Sequence, residues 1–297
     1  MPSVRDLETN DPNVLLKRIT EEFPEVNWSA YEFINHGWDH EVIILDDKLV
    51  FRFPASSEYL PGLEDEVRLL DYLSSKIDFR IPRYKYVARD RSFAGYGIIP
   101  GIELTEEAFA ELSDEDRAIL AAQLAKFLTG LHTVTVNELQ QFNVSHVDLK
   151  AEAQKLRAQA KQYLRPVLTE QEHQHALNVL SDFDALLGSD YPLALTHNDI
   201  SPKHIIWNQA TKQVGIIDFS DRAISDPAFD FTELFLYGRS FTETVYEAYA
   251  GPKDDNFLDR ATIYLKRIGV YMLIDSFLTD RISYKEAKAL FDKVIKL

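Results

Sequence analysis

The sequence contains no cysteine. Disulfides, thiolate nucleophiles and cysteine-ligated zinc are therefore excluded. Residues 1–10 lack the apolar core of a secretory signal, and no stretch approaches the roughly 18 uninterrupted apolar residues that a transmembrane helix needs. These absences predict a cytoplasmic protein without a membrane partner.

Positive charge is also scarce. The sequence has 32 Lys and Arg but 48 Asp and Glu, which gives a formal net charge of −16. Such a charge repels nucleic acid and anionic membranes and attracts cationic ligands. It is equally compatible with a role in solubility alone. The 18 Phe and 14 Tyr argue against a disordered chain, and 297 residues suffice for one large domain or two lobes that share a cleft.

The first third of the sequence predicts a mostly antiparallel sheet that carries one key helix. Strand patterns cover 28–34, 41–45, 49–53, 84–87 and 95–99, and helical spacing covers 12–23 and 63–76. The rest is mainly helical, over 113–131, 147–165, 170–187, 229–250 and 257–295, with a short β segment around 193–219. We therefore predict an α+β chain with lobes at 1–100 and 101–297.

Two carboxylates in the short β segment can carry chemistry. Residues 196–204 read THNDISPKH and residues 215–220 read GIIDFS. Phosphoryl transfer needs one carboxylate near the acceptor hydroxyl and another that holds metal ions against the phosphates. Asp199 and Asp218 lie 19 positions apart, which leaves room for a loop and a hairpin that return to one cleft. His204 offers a neutral imidazole nitrogen as a second metal ligand.

The pattern His-x-Asp, a metal ligand five residues later and then Ile-Asp-Phe resembles the catalytic core of the aminoglycoside phosphotransferases, within the kinase-like superfamily. Histidine at position 204 is similar to the 2''-phosphotransferases and the macrolide phosphotransferases, and His-Asn-Asp-x-Ser-x-x-His resembles the 2''-group in particular. The resemblance implies a two-lobed protein-kinase-like fold. It implies that Asp199 is the catalytic base, that His204 and Asp218 bind Mg²⁺, and that ATP or GTP is the phosphoryl donor.

The resemblance covers nearly the whole chain and also implies a nucleotide site. His36 and Gly37 lie where the family has its phosphate-covering loop. Arg52 matches the strand position of the phosphate-binding lysine in protein kinases, and Glu66 matches the acidic partner of that lysine. The hinge between the lobes, whose backbone would bind the purine, corresponds to Gly97, Ile98 and Ile99.

The remaining site residues are structural or acceptor-binding by the same resemblance. His197 holds the catalytic loop, and Asp230 braces that loop or caps the next helix. Aminoglycosides are polycations, so their site should display carboxylates and hydrogen-bonding walls. The candidates are Ser201, Glu233, Tyr237, Tyr271 and Asp275, although each could instead lie on a solvated helix face.

Three functions remain open from the sequence. The first is an aminoglycoside kinase that confers antibiotic resistance. The second is a kinase for macrolides or another hydroxylated molecule, because Leu236 and Tyr237 occupy a stretch where the 2''-group has acidic residues. The third is a catalytically silent nucleotide-binding protein, against which the joint presence of both aspartates and His204 argues. The sequence lacks the Gly-x-Ser-x-Gly elbow of serine hydrolases, and its eight scattered histidines do not suggest a metal hydrolase. We expect a monomer that binds a nucleoside triphosphate and a small cationic acceptor, and no nucleic acid.

Overall fold

The computed structural model describes residues 11–35, 39–187 and 191–296. His36 and Gly37, which we predicted to contact the nucleotide phosphates, lie outside the described residues.

The N-terminal part is built on a five-stranded antiparallel sheet in the order β1-β2-β3-β5-β4. Its strands are β1 (Tyr31–Ile34), β2 (His40–Leu45), β3 (Leu49–Pro54), β4 (Tyr84–Val87) and β5 (Ala94–Gly97). Helix α1 (Pro12–Glu22) contacts β2, and helix α2 (Leu60–Lys76) contacts β4. The predicted arrangement of a sheet with one key helix is confirmed.

The first strand begins later than the predicted residue 28. The backbone N–H groups of Ser29 and Ala30 donate to the carboxylate of Asp46 at 2.8 to 3.2 Å. These donors therefore face a side chain that caps the β2–β3 turn, and the strand ladder begins only at Tyr31. A side-chain acceptor that is distant in sequence decides this boundary.

Strand β3 is buried along most of its length because it lies in the middle of the sheet. Successive side chains of a strand point to opposite faces. Phe51 and Phe53 pack with Leu15, Ile19 and Phe93 in an N-terminal core, whereas Arg52 points to the other face. This alternation directs one cation toward Asp218.

The C-terminal part is mainly helical. Its helices are α3 (Glu106–Ala110), α4 (Asp114–His132), α5 (Val136–Leu139), α6 (Leu149–Tyr163), α7 (Glu170–Leu186), α8 (Arg239–Ala248), α9 (Phe257–Asp275) and α10 (Tyr284–Val294). Its strands are β6 (Ile102–Glu103), β7 (Ala194–Thr196), β8 (Ile205–Asn208), β9 (Gln213–Ile216) and β10 (Ala223–Ser225). They pair as β6-β8-β9 and β10-β7.

Helix α4 is the central helix of the C-terminal core. Leu120, Leu124, Phe127, Leu128 and Leu131 are all fully buried, as their helical spacing predicted. The predicted helix over 229–250 starts instead as two short 3₁₀ turns, Pro227–Phe231 and Glu233–Tyr237, and the second ends at Gly238 with a φ of 104°.

Among the described residues no single helix is long and apolar enough to cross a membrane, although the bent pair Asp114–His132 and Val136–Phe142 meets that criterion jointly.

Candidate active site

The loop between β7 and β8 carries Asp199, and the Asp230 side chain binds the backbone of this loop. Asp230 is fully buried, and its two carboxylate oxygens accept from the backbone N–H groups of His197 at 2.9 Å and Asn198 at 2.7 Å. Asn198 has a φ of 66°, in the left-handed region that asparagine tolerates better than most residues. The carboxylate thus fixes the backbone immediately before Asp199.

His197 connects the catalytic loop to the strand that precedes Asp218. Its Nε2 lies 3.1 Å from the carbonyl oxygen of Ile217, so Nε2 must donate. Its Nδ1 then accepts from the backbone N–H of Asp199 at 3.3 Å. Burial lowers the pKa of His197, which favours this neutral tautomer.

Two further residues support Asp230 and were missed by the sequence analysis. His132 Nε2 lies 2.9 Å from Asp230, and His132 Nδ1 lies 2.7 Å from the hydroxyl of Tyr249. Both side chains are buried. The available signal was that His132 follows Leu124 and Leu128 at four-residue spacing, which puts a polar side chain on the buried face of α4.

Asp199, His204 and Asp218 meet in one cleft. His204 Nδ1 lies 3.0 Å from the backbone oxygen of Asp199 and 3.2 Å from its Oδ2, and His204 Nε2 lies 3.7 Å from Asp218 Oδ2. Burial opposes a charged imidazole, but the hydrogen bond and charge of Asp199 and the charge of Asp218 raise the pKa of His204 to about 9. Ser201 also contacts His204 Nδ1, at 3.2 Å. Its hydroxyl therefore lies beside the predicted metal ligand.

Asp218 follows β9, as predicted, with a φ of 62°. Its Oδ1 accepts from Arg52 Nη2 at 2.9 Å and from the Ser220 hydroxyl at 2.8 Å, and its Oδ2 faces His204. Burial opposes the carboxylate, but the charges of Arg52 and His204 lower the pKa of Asp218. The carboxylate is thus held ionised with one oxygen toward the cleft.

Arg52 is 4% exposed and is surrounded by protein partners. Its Nη1 donates to Glu66 at 2.7 Å and to the Tyr84 hydroxyl at 3.2 Å, and its Nη2 lies 2.7 Å from Ser220 as well as near Asp218. The predicted pairing of Arg52 with Glu66 is present. A phosphate that binds these terminal N–H groups would have to displace one of their partners.

His40 completes the shell around Arg52. Its Nδ1 lies 3.1 Å from Arg52 Nη2, and it must accept because a guanidinium only donates. Burial and the neighbouring charge lower the pKa of His40 to about 3. His40 is therefore a neutral acceptor.

Comparison with known proteins identifies this arrangement. The model of the phosphotransferase enzyme family matches residues 30–254. The chain belongs to this family. The predicted family and the prediction of an enzyme that transfers phosphate to a hydroxyl are both confirmed.

Solved structures support the same assignment. The GDP and kanamycin complex of APH(2")-IIia is 27% identical, covers 94% of this chain and 97% of its own, and has a TM-score of 0.84. The GDP complex of a wild-type aminoglycoside 2'-phosphotransferase-IIIa is 26% identical, covers 97% of this chain and 99% of its own, and has a TM-score of 0.85. A macrolide 2'-phosphotransferase type I is 19% identical, covers 96% of this chain and 97% of its own, and has a TM-score of 0.70. At this identity the similarity shows only that the fold is shared. The predicted kinase-like fold class is confirmed.

The predicted hinge of this phosphotransferase lies against β9. Gly97 ends β5, and the backbone N–H of Ile98 donates to the carbonyl of Lys48 at 2.8 Å. A Cβ on Gly215 would lie 2.4 Å from the Ile99 side chain, so glycine is needed there for close approach. Because the Ile98 N–H is already bonded, a purine that uses this donor would have to replace Lys48.

The predicted acceptor residues of the phosphotransferase fall into different environments. Glu233 is half-buried, and burial and the charge of Asp199 raise its pKa to about 8, so its carboxyl is largely protonated at neutral pH. Asp275 is buried at the end of α9, and its Oδ2 accepts from the Thr279 hydroxyl at 2.8 Å. Burial and the charge of Asp275 raise the pKa of Tyr271, one helical turn earlier.

Tyr237 lies deeper in the protein than the predicted acceptor residue Tyr271. It is 8% exposed, its ring stacks on Phe109 at 4.6 Å, and its hydroxyl donates to the carbonyl of Leu104 at 2.5 Å. The short turn before Gly238 rotates this side chain into the core, where its donor is already used. Tyr237 therefore packs in the C-terminal core, and its contact with an acceptor stays a prediction.

Proposed function

We propose that this phosphotransferase transfers the γ-phosphoryl group of GTP or ATP to a hydroxyl of an aminoglycoside antibiotic and thereby confers resistance. The observation that carries the transfer is the meeting of Asp199, His204 and Asp218 within hydrogen-bonding or near-bonding distance in one cleft. The acceptor class is supported by the 27% identity, over nearly the full length of both chains, to a structure that holds GDP and kanamycin.

Asp199 is the base in this proposal. Its carboxylate accepts the proton of the acceptor hydroxyl as that oxygen bonds to the γ-phosphorus. The bond from the γ-phosphorus to the bridging oxygen breaks, and the nucleoside diphosphate leaves. Because Asp230 fixes the preceding backbone and His204 contacts Asp199 Oδ2, the base is held in place before the acceptor arrives.

The residues present fit a magnesium ion. His204 can donate its Nδ1 proton to the backbone oxygen of Asp199, and its Nε2, which faces Asp218 Oδ2, would offer a lone pair once the ion replaces the second imidazole proton. The described residues contain no group of three or more His, Cys, Asp or Glu side chains placed to hold a metal ion. Two protein ligands suit Mg²⁺, which commonly takes its other ligands from water and phosphates. When bound, the ion would offset charge on the nucleotide phosphates.

The acceptor is a cation in this proposal. Asp275 lies on α9, the carboxyl of Glu233 would ionise beside an ammonium group, and the chain as a whole carries a net charge of −16. Such a field raises the local concentration of a polycation. We also propose that the enzyme acts as a monomer in the cytoplasm, where nucleoside triphosphates are available.

The test is to incubate the protein with Mg²⁺ and GTP or ATP against kanamycin, gentamicin, streptomycin and a panel of macrolides, and to measure phosphate addition by mass spectrometry. We expect at least one aminoglycoside to gain one phosphate. Transfer only to macrolides would refute the acceptor class but keep Asp199 as base. Nucleotide binding without any transfer would point to another acceptor or to a silent protein.

A further inference from the structure

Helix α2 precedes two strands of the N-terminal sheet, but its apolar side chains pack with the C-terminal core. Leu69, Leu70 and Leu73 are buried in the same cluster as the leucines of α4. Over the described residues, the core beside the N-terminal sheet includes side chains of α1, β2 and β3 and none of α2. Since apolar burial is the main force that joins elements, the C-terminal part sets where α2 lies. Glu66 is carried by this helix, so its position is set there as well.

One face of α2 meets residues 135–143, which we call the anchor segment. The polar side chains of this face are three or four positions apart, which puts them in one row along the helix: Asp65, Arg68, Tyr72 and Lys76. The anchor segment consists of Thr135, α5, a 3₁₀ turn over Gln140–Phe142, and Asn143. Every residue of the row has a hydrogen-bond partner in this segment.

The end of the row nearest Glu66 is bound by the last residues of the anchor segment. Asn143 Nδ2 lies 3.2 Å from each carboxylate oxygen of Asp65, the residue directly before Glu66. Arg68 Nη2 donates to the carbonyl of Gln141 at 2.7 Å. The Asp65 side chain is 15% exposed, so water competes only in part for its pairing with the amide.

The far end of the row is bound by Glu138. The Tyr72 hydroxyl donates to Glu138 Oε1, and Lys76 Nζ lies 3.2 Å from the same oxygen. The other oxygen, Oε2, accepts from the backbone N–H of Thr135 at 2.9 Å as part of the capping box of α5. The ring of Phe142 is buried in the C-terminal core and lies 5.1 Å from the ring of Tyr72. The anchor segment is therefore itself fixed, by a cap and by the core.

Glu66 joins this anchored helix to the cleft. Its Oε1 accepts from Arg52 Nη1 at 2.7 Å, and its Oε2 lies 3.8 Å from Arg222 Nη1. Arg52 belongs to β3, so the ion pair connects the N-terminal sheet to a helix that the C-terminal part holds. With Nη1 held by Glu66, Arg52 directs Nη2 to Asp218. A shift of the start of α2 would therefore change the direction of the guanidinium.

We propose that the anchor segment positions Glu66, and through it Arg52, for the nucleotide phosphates. Asn143 and Glu138 are then positioning residues of the phosphotransferase, because they act through α2. The inference rests on the proposed role of Arg52 at the phosphates and adds what holds that cation in place. A weakened anchor should lower the affinity for phosphates and leave the affinity for the nucleoside unchanged.

The test variant is Asn143→Asp, which puts a second carboxylate where the amide lies 3.2 Å from Asp65. Like charges repel at this distance, so the start of α2 is pushed away from the segment. Titration calorimetry with Mg²⁺ gives the dissociation constants of GDP and guanosine, and of ADP and adenosine. For the purine that binds, we expect the ratio of diphosphate to nucleoside affinity to fall about three- to fivefold.

Two further variants and one control show whether the effect passes through Asp65 and Glu66. Asp65→Asn combined with Asn143→Asp restores an amide–carboxylate pair in the opposite sense and should return the ratio to within about twofold of wild type. In a Glu66→Gln background, Asn143→Asp should lower the ratio no further, because the positioned carboxylate is already gone. The matched control, Asn178→Asp, adds the same charge at an exposed residue of α7 and should leave the ratio unchanged. Thermal unfolding checks that each variant is folded.

The outcomes separate the inference from the proposed function. If Asn143→Asp lowers the melting temperature but leaves the affinity ratio unchanged, the anchor segment only stabilises the fold and the inference is overturned. A loss that persists in the exchanged pair or in the Glu66→Gln background also overturns it, because Asn143 then acts by another route. If the wild-type protein binds neither diphosphate more tightly than its nucleoside, the proposed role of Arg52 is wrong and the inference is refuted with it.

Discussion

Replacing Arg52 by lysine should destabilise the protein even when no nucleotide is present. The guanidinium donates to Glu66, Tyr84, Ser220 and Asp218, and Glu66 is 1% exposed. A lysine ammonium is a compact charge with three donors, and it cannot reproduce the planar fork that reaches Glu66 and Asp218 together. One of the two carboxylates would therefore lose its nearest cation, because the next ones, Arg222 for Glu66 and His204 for Asp218, lie 3.8 and 3.7 Å away.

The magnitude follows from what lysine leaves behind. Removing one partner of a buried ion pair completely costs about 3–5 kcal/mol, and a hydrogen bond to a charged group contributes about 1.5–3 kcal/mol. Since lysine preserves one pairing, we expect a loss of about 2–3 kcal/mol in the free energy of unfolding. At about 2–4 °C per kcal/mol for a chain of this size class, the melting temperature should fall by roughly 5–10 °C.

Thermal unfolding without nucleotide or Mg²⁺ is the assay, and Arg89→Lys is the matched control. Arg89 pairs with Glu22 at 3.0 Å, but its side chain is 86% exposed, so its replacement should change the free energy of unfolding by less than about 0.5 kcal/mol. The reasoning is refuted if Arg52→Lys melts within about 1 °C of the wild type and loses only nucleotide affinity. Arg52 would then act chiefly on the phosphates, as its sequence position first suggested.

Three other predictions concern the base, the pH dependence and the support of the loop. Asp199→Asn should lower kcat by about 10²–10⁴-fold, while calorimetry should find nucleotide affinity within about twofold of wild type. The pKa of Glu233 is raised from 4.5 to about 8 in the folded protein, so the folded state retains its proton while the unfolded state loses it, and stability should fall as pH rises through this interval. Glu233→Gln should therefore melt above the wild type at pH 9 and close to it near pH 4, and parallel melting curves at all pH values would contradict this. Tyr249→Phe leaves His132 Nδ1 without its buried partner, so urea denaturation should show a loss of about 1–3 kcal/mol, and an unchanged midpoint would show that this contact carries no energy.

Parts of the fold were predictable because their signals are local. Strands and helices follow from periodicities of two and 3.6 residues, which is why β4 begins and ends as predicted and α4 buries the expected leucines. Periodicity does not predict a strand boundary that depends on a side chain distant in sequence. The Asp46 carboxylate accepts from the backbone N–H groups of Ser29 and Ala30, so β1 begins after them.

The meeting of the three candidate catalytic residues in one cleft was predictable for the same reason. Asp199 and His204 occupy one short loop, and Asp218 directly follows an apolar strand, so a few contiguous residues specify all three. The lobe boundary near residue 100 and the role of each candidate acceptor residue remain predictions.

The sequence by itself determined the family, the order of the main strands and helices, and the candidates for the base and the metal ligands, because these depend on short motifs and local spacing. Only the tertiary structure decided that Arg52 pairs with Asp218 across 166 positions, that Tyr237 belongs to the core, and that His132 and Tyr249 support Asp230. The physical reason is that burial and long-range hydrogen bonds depend on how separate elements pack against each other. No local pattern encodes which polar atoms that packing leaves paired and which it leaves without a partner.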